Sequence, residues 1–112
     1  MKAAFAAEAT RLRRNAGLSA DQIARATGAA TSTVRGWIGQ RSGPTGARAE
    51  RVAELAAITE RLERIMPKSF IPVWLSKPIE ALGYKKLLDL IASGEYRRVA
   101  RVISAIEDPG AI

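Results

Sequence analysis

Residues 18–38 have the sequence LSADQIARATGAATSTVRGWI, and this stretch predicts two short helices joined by a tight turn. Ser19 and Gln22 have the spacing of a capping box, in which the serine hydroxyl accepts a helical N–H and the glutamine side chain bonds back to the serine N–H. Gly28 follows the first helix and is able to adopt positive φ in the turn. The stretch therefore predicts two helices with defined ends.

Small and apolar residues recur in this stretch at the spacings of a helix-turn-helix. Such a unit needs a small residue where the helices pack closest, a glycine in the turn, and apolar side chains on the inward face of the second helix. We expect Thr31 or Ser32 to cap that second helix. The positions that fit the pattern are Ala24, Gly28, Val34 and Trp37.

Helical periodicity continues on both sides of the stretch. A helix precedes it and ends at Gly17, which can take the left-handed conformation. The loop 39–46 follows it, and a long helix then runs from about Arg48 to Met66, where Pro67 stops it. The apolar positions are Phe5, Ala9, Leu12 and Ala16 in the first helix, and Val52, Leu55, Ile58, Leu62 and Ile65 in the long one.

The second half is also helical but more broken. Residues 70–75 predict a short apolar turn, Ser76 begins a helix that ends at Gly83, residues 84–92 form a compact helix, and residues 96–106 form the last one. Asp108 to Ile112 form a frayed tail. The residues expected in the core are Leu87, Leu88 and Ile91, followed by Tyr96, Val99, Ile103 and Ile106.

These elements predict an all-α protein, because no segment alternates with period two. Residues 1–48 form an N-terminal helix-turn-helix bundle, residues 49–66 a connecting helix, and residues 67–112 a small C-terminal helical domain. The apolar stripe of the connecting helix has two interpretations. It is either the seam of a homodimer or the core strut between the two halves.

The composition argues against an enzyme. The 112 residues include no cysteine and no histidine, which excludes disulfides, Cys/His zinc sites, a histidine base and a cysteine nucleophile. The carboxylates are scattered, and the glycine-containing loop 39–46 lacks the lysine of a P-loop. We expect no catalysis, metal or cofactor. With no cysteine and no apolar run long enough for a membrane span, we expect a cytoplasmic protein.

Positive charge is concentrated at the front of the chain. The net charge is +7, and residues 1–48 hold eight basic against two acidic residues. Such an excess suits a phosphate-binding surface. Gly36 and Gly39 offer no base contact, so the alternative is a module that keeps the fold as a packing or dimer platform. The candidate DNA contacts are Thr31, Ser32 and Arg35 in the major groove, and Arg41 and Arg48 at phosphates.

The front of the chain, residues 11–44, resembles the Xre/Cro class of DNA-binding domains. The residues that carry this resemblance are Leu18-Ser19, Ile23-Ala24, Gly28, Val34, Trp37 and Pro44.

The back of the chain, residues 69–108, resembles the toxin-binding domain of Xre/MbcA/ParS-type antitoxins. The resemblance implies a RES-domain toxin as partner, which consumes NAD⁺, and an antitoxin that performs no chemistry. It also implies a dimer, occlusion of the toxin's NAD⁺ pocket by the C-terminal region, and repression of its own operon through the helix-turn-helix. The residues that carry it are Trp74-Leu75, Pro78, Leu82-Gly83, Leu87-Leu88, Gly94-Glu95-Tyr96, Arg98-Val99, Ile103 and Ile106.

The exposed residues at the end of the chain are the candidates for this occlusion. A mixed-charge face of the last helix repeats at helical spacing and leads into the tail, whose terminal carboxylate could meet a phosphate-binding arginine. The alternative is an ordinary solvated face and a frayed end. The candidate toxin-binding residues are Arg97, Arg101, Ser104, Asp108, Pro109, Gly110, Ala111 and Ile112.

Two other functions remain open from the sequence. The first is a helix-turn-helix transcriptional regulator without a toxin partner, which would use the back half for dimerisation or a small ligand. The second is a polar-localisation adaptor, because ParS-like relatives share the back domain.

Overall fold

The computed structural model describes residues 2–108 and 110, with side chains from residue 7 onward. The chain is all-α, which confirms the predicted fold class. None of the helices in this described part is long and apolar enough to cross a membrane. The helices are α1 (Lys2–Arg14), α2 (Ala20–Thr27), α3 (Thr31–Ile38), α4 (Gly46–Glu63), α5 (Ile71–Ser76), α6 (Leu87–Ala92) and α7 (Tyr96–Glu107), with 3-10 turns at Lys68–Phe70 and Glu80–Leu82.

The first turn of the chain lies where the sequence predicts it. Gly17 follows α1 with a φ of +72°. The chain then folds back, and the Leu18 N–H donates to the Leu12 carbonyl at 3.1 Å. Both leucine side chains are buried in the core. Phe5, which the periodicity assigns to the same face, lies outside the residues whose side chains the structure describes.

The capping box of α2 is confirmed. The Gln22 N–H donates to Ser19 Oγ at 3.1 Å, and the Ser19 N–H donates to Gln22 Oε1 at 3.0 Å. Gly28 ends the helix with a φ of +76°, as predicted, and its N–H donates to the Ala24 carbonyl. The helix therefore begins and ends where the local sequence predicts.

The predicted cap of α3 is wrong. Ala30 is the capping residue and provides no side-chain bond, and Thr31 is already the first residue of the helix. The Thr31 hydroxyl instead donates to Asp21 Oδ1 at 2.9 Å. The next residue, Ser32, is exposed and also lies inside the helix. The Asp21 carboxylate of α2 accepts this hydrogen bond, so the Thr31 hydroxyl contacts the neighbouring helix.

Helix α4 is the central strut of the bundle. It packs against α1, α2, α5, α6 and α7. Its apolar stripe is buried inside the chain's own core, and only Ile65, beyond the end of the helix, is partly exposed. A dimer seam on α4 would therefore have to use its polar outer face. The fully buried residues of the stripe are Val52, Leu55, Ile58 and Leu62.

The segment between α5 and α6 differs from the prediction. Residues 71–76 form a helix, and Ser76 ends it; the predicted helix from Ser76 to Gly83 is limited to one 3-10 turn. Lys77 is extended because the α conformation is disfavoured before a proline. Gly83 and Tyr84 both have positive φ, so α6 begins only at Leu87.

Side chains of helix α2 connect the front half of the chain to the back half through hydrogen bonds and an ion pair. Gln22 Nε2 donates to the Pro72 carbonyl at 3.0 Å and to Ser76 Oγ at 2.8 Å. Arg25 forms a two-bond ion pair with Asp89 of α6, at 2.6 and 3.1 Å. The segments 1–48, 49–66 and 67–112 contribute to one continuous hydrophobic core. Their division into separate domains stays a prediction.

Candidate functional site

The predicted DNA-binding residues of α3 divide into two groups. Ser32 and Arg35 are exposed on the outer face of the helix, three residues apart. Thr31 is only partly exposed, and its hydroxyl already donates to the Asp21 carboxylate. Helix α3 packs on α1 and α2, which leaves its outer face uncovered by the described part of the chain. The structure thus presents one hydroxyl and one guanidinium on this face.

Arg41 and Arg48 flank α3 from the loop and from the next helix. Both are exposed. The Arg41 guanidinium lies beside Gly39, where an added Cβ would come within 2.8 Å of Arg41 Nη1. Arg48 occupies the first turn of α4, which holds no acidic residue. A cation there is disfavoured by the helix dipole, so Arg48 has no evident role in stabilising its own helix.

The glycine at the centre of α3 has a packing role. An added Cβ at Gly36 would lie 2.9 Å from Ser42 Oγ. The Gly36 carbonyl accepts the N–H groups of Arg41, at 2.9 Å, and Ser42, at 3.4 Å. The loop therefore closes over the end of α3 at a position where a side chain would be crowded.

The predicted toxin-binding face of α7 is exposed. Arg97, Arg101, Ser104 and Asp108 all lie on the surface. The Asp108 N–H donates to the Ser104 carbonyl at 3.0 Å, which continues the helical bonding to the end of α7. Within the tail, Gly110 is exposed, whereas Pro109, Ala111 and Ile112 lie outside the described residues.

An ion pair that the sequence analysis missed holds the end of α7 against α4. Arg61 donates to both carboxylate oxygens of Glu107, at 3.1 and 2.5 Å, and to Ser104 Oγ at 3.1 Å. These hydrogen bonds hold the pKa of Glu107 below its ordinary value of 4.5. Arg61 and Glu107 are 46 positions apart, so local spacing gives no indication of the pair.

A second missed feature is an apolar surface around Trp74. Ile106, predicted to lie in the core, is 40% exposed, while Ile103 on the same helix is fully buried. We use "Trp74 surface" for the residues Phe70, Val73, Trp74, Lys77, Tyr84 and Ile106. Phe70, Val73 and Tyr84 are 59%, 67% and 68% exposed, respectively.

The Trp74 surface contains two adjoining hollows. The larger has a volume of about 480 Å³ and is lined by Trp74, Tyr84, Val102 and Ile106 among others. The smaller has a volume of about 330 Å³. Trp74 and Lys77 line both hollows. No group of three or more acidic side chains suited to a metal ion occurs within residues 2–108 and 110.

Comparison with known proteins finds similarity to antitoxins. No protein-family model matches the chain. The mycobacterial cidal antitoxin MbcA of Mycobacterium tuberculosis, and that of Mycobacterium bovis, are 28% identical over 92 residues, which cover 82% of this chain and 81% of theirs. The chain is similar to the MbcA antitoxins. This similarity confirms the antitoxin part of the resemblance identified from the sequence.

A solved structure agrees with the match to MbcA. A chain in the crystal structure of the M. tuberculosis MbcT–MbcA toxin–antitoxin complex superposes with a TM-score of 0.81 at 25% identity, over 96% of both chains. Similarity to MbcA supports a regulatory role in a toxin–antitoxin system, and it confirms the expectation that the chain is not an enzyme. The individual DNA-contacting and toxin-contacting residues stay predictions.

Proposed function

We propose that this chain is the cytoplasmic antitoxin of a type II toxin–antitoxin pair, and that its partner is a RES-type, NAD⁺-consuming toxin. The observation that carries the proposal is the superposition on one chain of the crystal structure of the MbcT–MbcA complex, over 96% of both chains. The RES and NAD⁺ parts rest on the motif string in residues 69–108, which resembles the toxin-binding domain of antitoxins for such toxins.

In this proposal the C-terminal region neutralises the toxin by covering the entrance to its active site. The exposed face formed by Arg97, Arg101, Ser104 and Asp108 leads directly into the tail of residues 109–112. In this hypothesis the two arginines pair with carboxylates at the rim of the active site, and the terminal carboxylate of the tail pairs with an arginine that otherwise binds the phosphates of NAD⁺. Arg61 supports this role indirectly, because its bonds to Glu107 and Ser104 hold the end of α7 against α4.

The proposal includes repression of the chain's own operon through α3. Ser32 and Arg35 are exposed, and arginine can pair with guanine by two hydrogen bonds. Arg41 and Arg48 are exposed on either side and would contact phosphates. Thr31 is the weakest of the five candidates because Asp21 already binds its hydroxyl.

A homodimer is also part of the proposal, because a two-fold protein matches a palindromic operator. The buried stripe of α4 gives such a dimer no apolar seam. The exposed polar face of the same helix is the remaining candidate on α4.

Co-expression tests the proposal. The protein from the adjacent open reading frame is expressed alone and together with this chain, while growth and cellular NAD⁺ are followed. We expect NAD⁺ to fall with the neighbour alone and to recover with this chain. If the neighbour is harmless and NAD⁺ does not move, the chain is better described as a DNA-binding regulator, which its basic front and exposed α3 face favour.

Two variants then test the occluding face. Exchange of both Arg97 and Arg101 for glutamate should abolish the recovery, and so should deletion of residues 109–112. The matched control exchanges Arg13 and Arg14, which are exposed on α1, for glutamate. If the control loses neutralisation to the same extent, net charge rather than the α7 face is responsible.

A further inference from the structure

Asp21 is an acidic residue in the part of the chain to which the proposed function assigns DNA contact. Residues 1–48 hold two acidic residues, Glu8 and Asp21, against eight basic ones. Glu8 forms an ion pair with Arg11 on α1, at 2.9 Å. Asp21 instead accepts a hydrogen bond of 2.9 Å from Thr31, the first residue of α3. Because a carboxylate near DNA is repelled by the phosphates, its position beside Thr31 needs a reason that outweighs this repulsion.

The direction of the hydrogen bond between these two side chains is fixed by their chemistry. An ionised carboxylate accepts hydrogen bonds and has no proton to donate, whereas a threonine hydroxyl has one proton and two lone pairs. The Thr31 hydroxyl therefore donates its proton to the bond with Asp21 Oδ1. The single donor of this hydroxyl is committed inside the protein, and its oxygen keeps the capacity to accept a further hydrogen bond.

The base edges in the major groove differ in whether they donate or accept hydrogen bonds. Adenine presents the N6 amino group and cytosine the N4 amino group, whereas guanine presents O6 and N7 and thymine presents O4, all of which are acceptors. A hydroxyl whose proton is free can turn toward either kind of edge, so it discriminates poorly. A hydroxyl whose proton is bound by a carboxylate matches the amino groups and meets an acceptor edge with lone pairs facing lone pairs.

The same hydrogen bond also has a structural consequence. Ala30 occupies the cap position of α3 and provides no side-chain bond, so the bond between Asp21 and Thr31 connects the start of α3 to α2. A purely structural role predicts that loss of Asp21 lowers stability and weakens binding to every DNA sequence alike. A role in specificity predicts a changed preference at one base position.

We propose that Asp21 is a specificity-determining residue that makes Thr31 a hydrogen-bond acceptor toward DNA, so that α3 selects adenine or cytosine at the base position facing Thr31. This inference rests on the proposed function, in which α3 contacts the operator. It adds a base class for one contact and a role for a residue that acts through Thr31. Loss of the donor narrows the contacts that Thr31 is able to make, and the same loss makes the remaining contact selective.

Selection from duplex oligonucleotides with a randomised central segment tests this inference. The intact wild-type chain, Thr31→Val, Asp21→Ala and the control Glu50→Gln each select bound duplexes, which are then sequenced. Thr31→Val keeps the branched shape of the side chain and removes the hydroxyl, so the base position at which it alters the preference is the position that faces Thr31. Glu50→Gln removes a different exposed carboxylate, on α4, and is the matched control for charge.

The expected result is a change confined to one base position. We expect the wild-type chain to prefer adenine or cytosine there by about three- to tenfold, the range for one hydrogen bond. Asp21→Ala frees the Thr31 proton, so the preference at this position should fall below about twofold while other positions keep theirs. Asp21→Ala and Glu50→Gln each remove a negative charge, and each should strengthen binding to all sequences alike. A melting temperature near that of the wild-type chain verifies that each variant is folded.

Other results overturn the inference in distinguishable ways. If the wild-type chain prefers guanine or thymine at the position facing Thr31, or if Thr31→Val changes no position, the acceptor contact does not exist. If Asp21→Ala keeps the preference and weakens binding to every sequence equally, the bond to Thr31 is structural. If the wild-type chain selects no sequence at all, the proposed repression through α3 fails and the inference fails with it, whereas the antitoxin role is decided separately by co-expression.

Discussion

Gln22 is the residue whose replacement tests most directly how the two halves are joined. Its Oε1 accepts the Ser19 N–H at 3.0 Å and closes the capping box of α2. Its Nε2 donates to the Pro72 carbonyl at 3.0 Å and to Ser76 Oγ at 2.8 Å, both on α5. One side chain therefore completes a local cap and bonds to an element 50 or more positions away.

The expected loss in the free energy of unfolding follows from counting these hydrogen bonds. A hydrogen bond of this kind contributes about 0.5–1.5 kcal/mol to the free energy of unfolding, and loss of a serine cap costs about 1 kcal/mol. Gln22→Ala removes three bonds and regains a few tenths of a kcal/mol in helix propensity, so it should cost about 2–3 kcal/mol. Ser19→Ala, which removes only the cap, should cost about 1 kcal/mol.

Gln22→Glu separates the two roles of the side chain. A glutamate at this position still accepts the Ser19 N–H, but it has no N–H to donate to α5. We expect a cost of about 1–2 kcal/mol for this variant. A double-mutant cycle with Ser76→Ala should show coupling of about 0.5 kcal/mol or more.

Urea unfolding of the intact chain provides the measurement. Far-UV circular dichroism reports the helices, and the fluorescence of Trp37 and Trp74, observed singly after Phe replacement of the other, reports each half. Coincident transitions would show that both halves unfold as one unit. If Gln22→Glu is as stable as the wild-type chain, the bonds to α5 contribute nothing and the reasoning is refuted.

Three further predictions concern pH, DNA and the core. Arg61 lowers the pKa of Glu107, so the carboxylate's contribution to stability is fully present above the ordinary pKa of 4.5 and is lost as the pH falls through the lower pKa of the folded state. Glu107→Gln should therefore flatten the acidic part of a plot of urea midpoint against pH. An unchanged slope would contradict this prediction. Arg35→Ala should weaken operator binding by about 1–3 kcal/mol at fixed moderate salt if the residue contacts a base, and an unchanged titration removes it from the site. Leu75→Ala, at a fully buried position, should cost about 2–5 kcal/mol in urea unfolding, and a cost below about 1 kcal/mol would show that the site collapses.

The parts of the fold that the sequence predicts correctly are those governed by short-range rules. The capping box of Ser19 and Gln22 involves residues three positions apart, and the turns at Gly17 and Gly28 need only a residue that accepts positive φ. The apolar stripe of α4 follows from helical periodicity alone. Each of these features is determined within one or two turns of helix.

The predictions are wrong where a group further along the chain forms a hydrogen bond with a side chain that the local pattern assigns to the start of a helix. Thr31 has the residue type of a helix cap, but the Asp21 carboxylate binds its hydroxyl and Ala30 takes the cap position. Ser76 precedes Lys77-Pro78 in the pattern of a helix start, yet it ends α5 and accepts a bond from Gln22. A local pattern does not indicate which partner the folded chain brings near.

The candidate site illustrates the limit of periodicity most clearly. Ile103 and Ile106 are the same residue type at adjacent positions of one apolar stripe, and the pattern predicts the same burial for both. The first is fully buried and the second is 40% exposed beside Trp74 and Tyr84. A core and a docking surface both require apolar side chains at helical spacing, so composition alone cannot separate them. The apolar residues that the chain's own helices leave uncovered are therefore the ones whose replacement should cost the fold least.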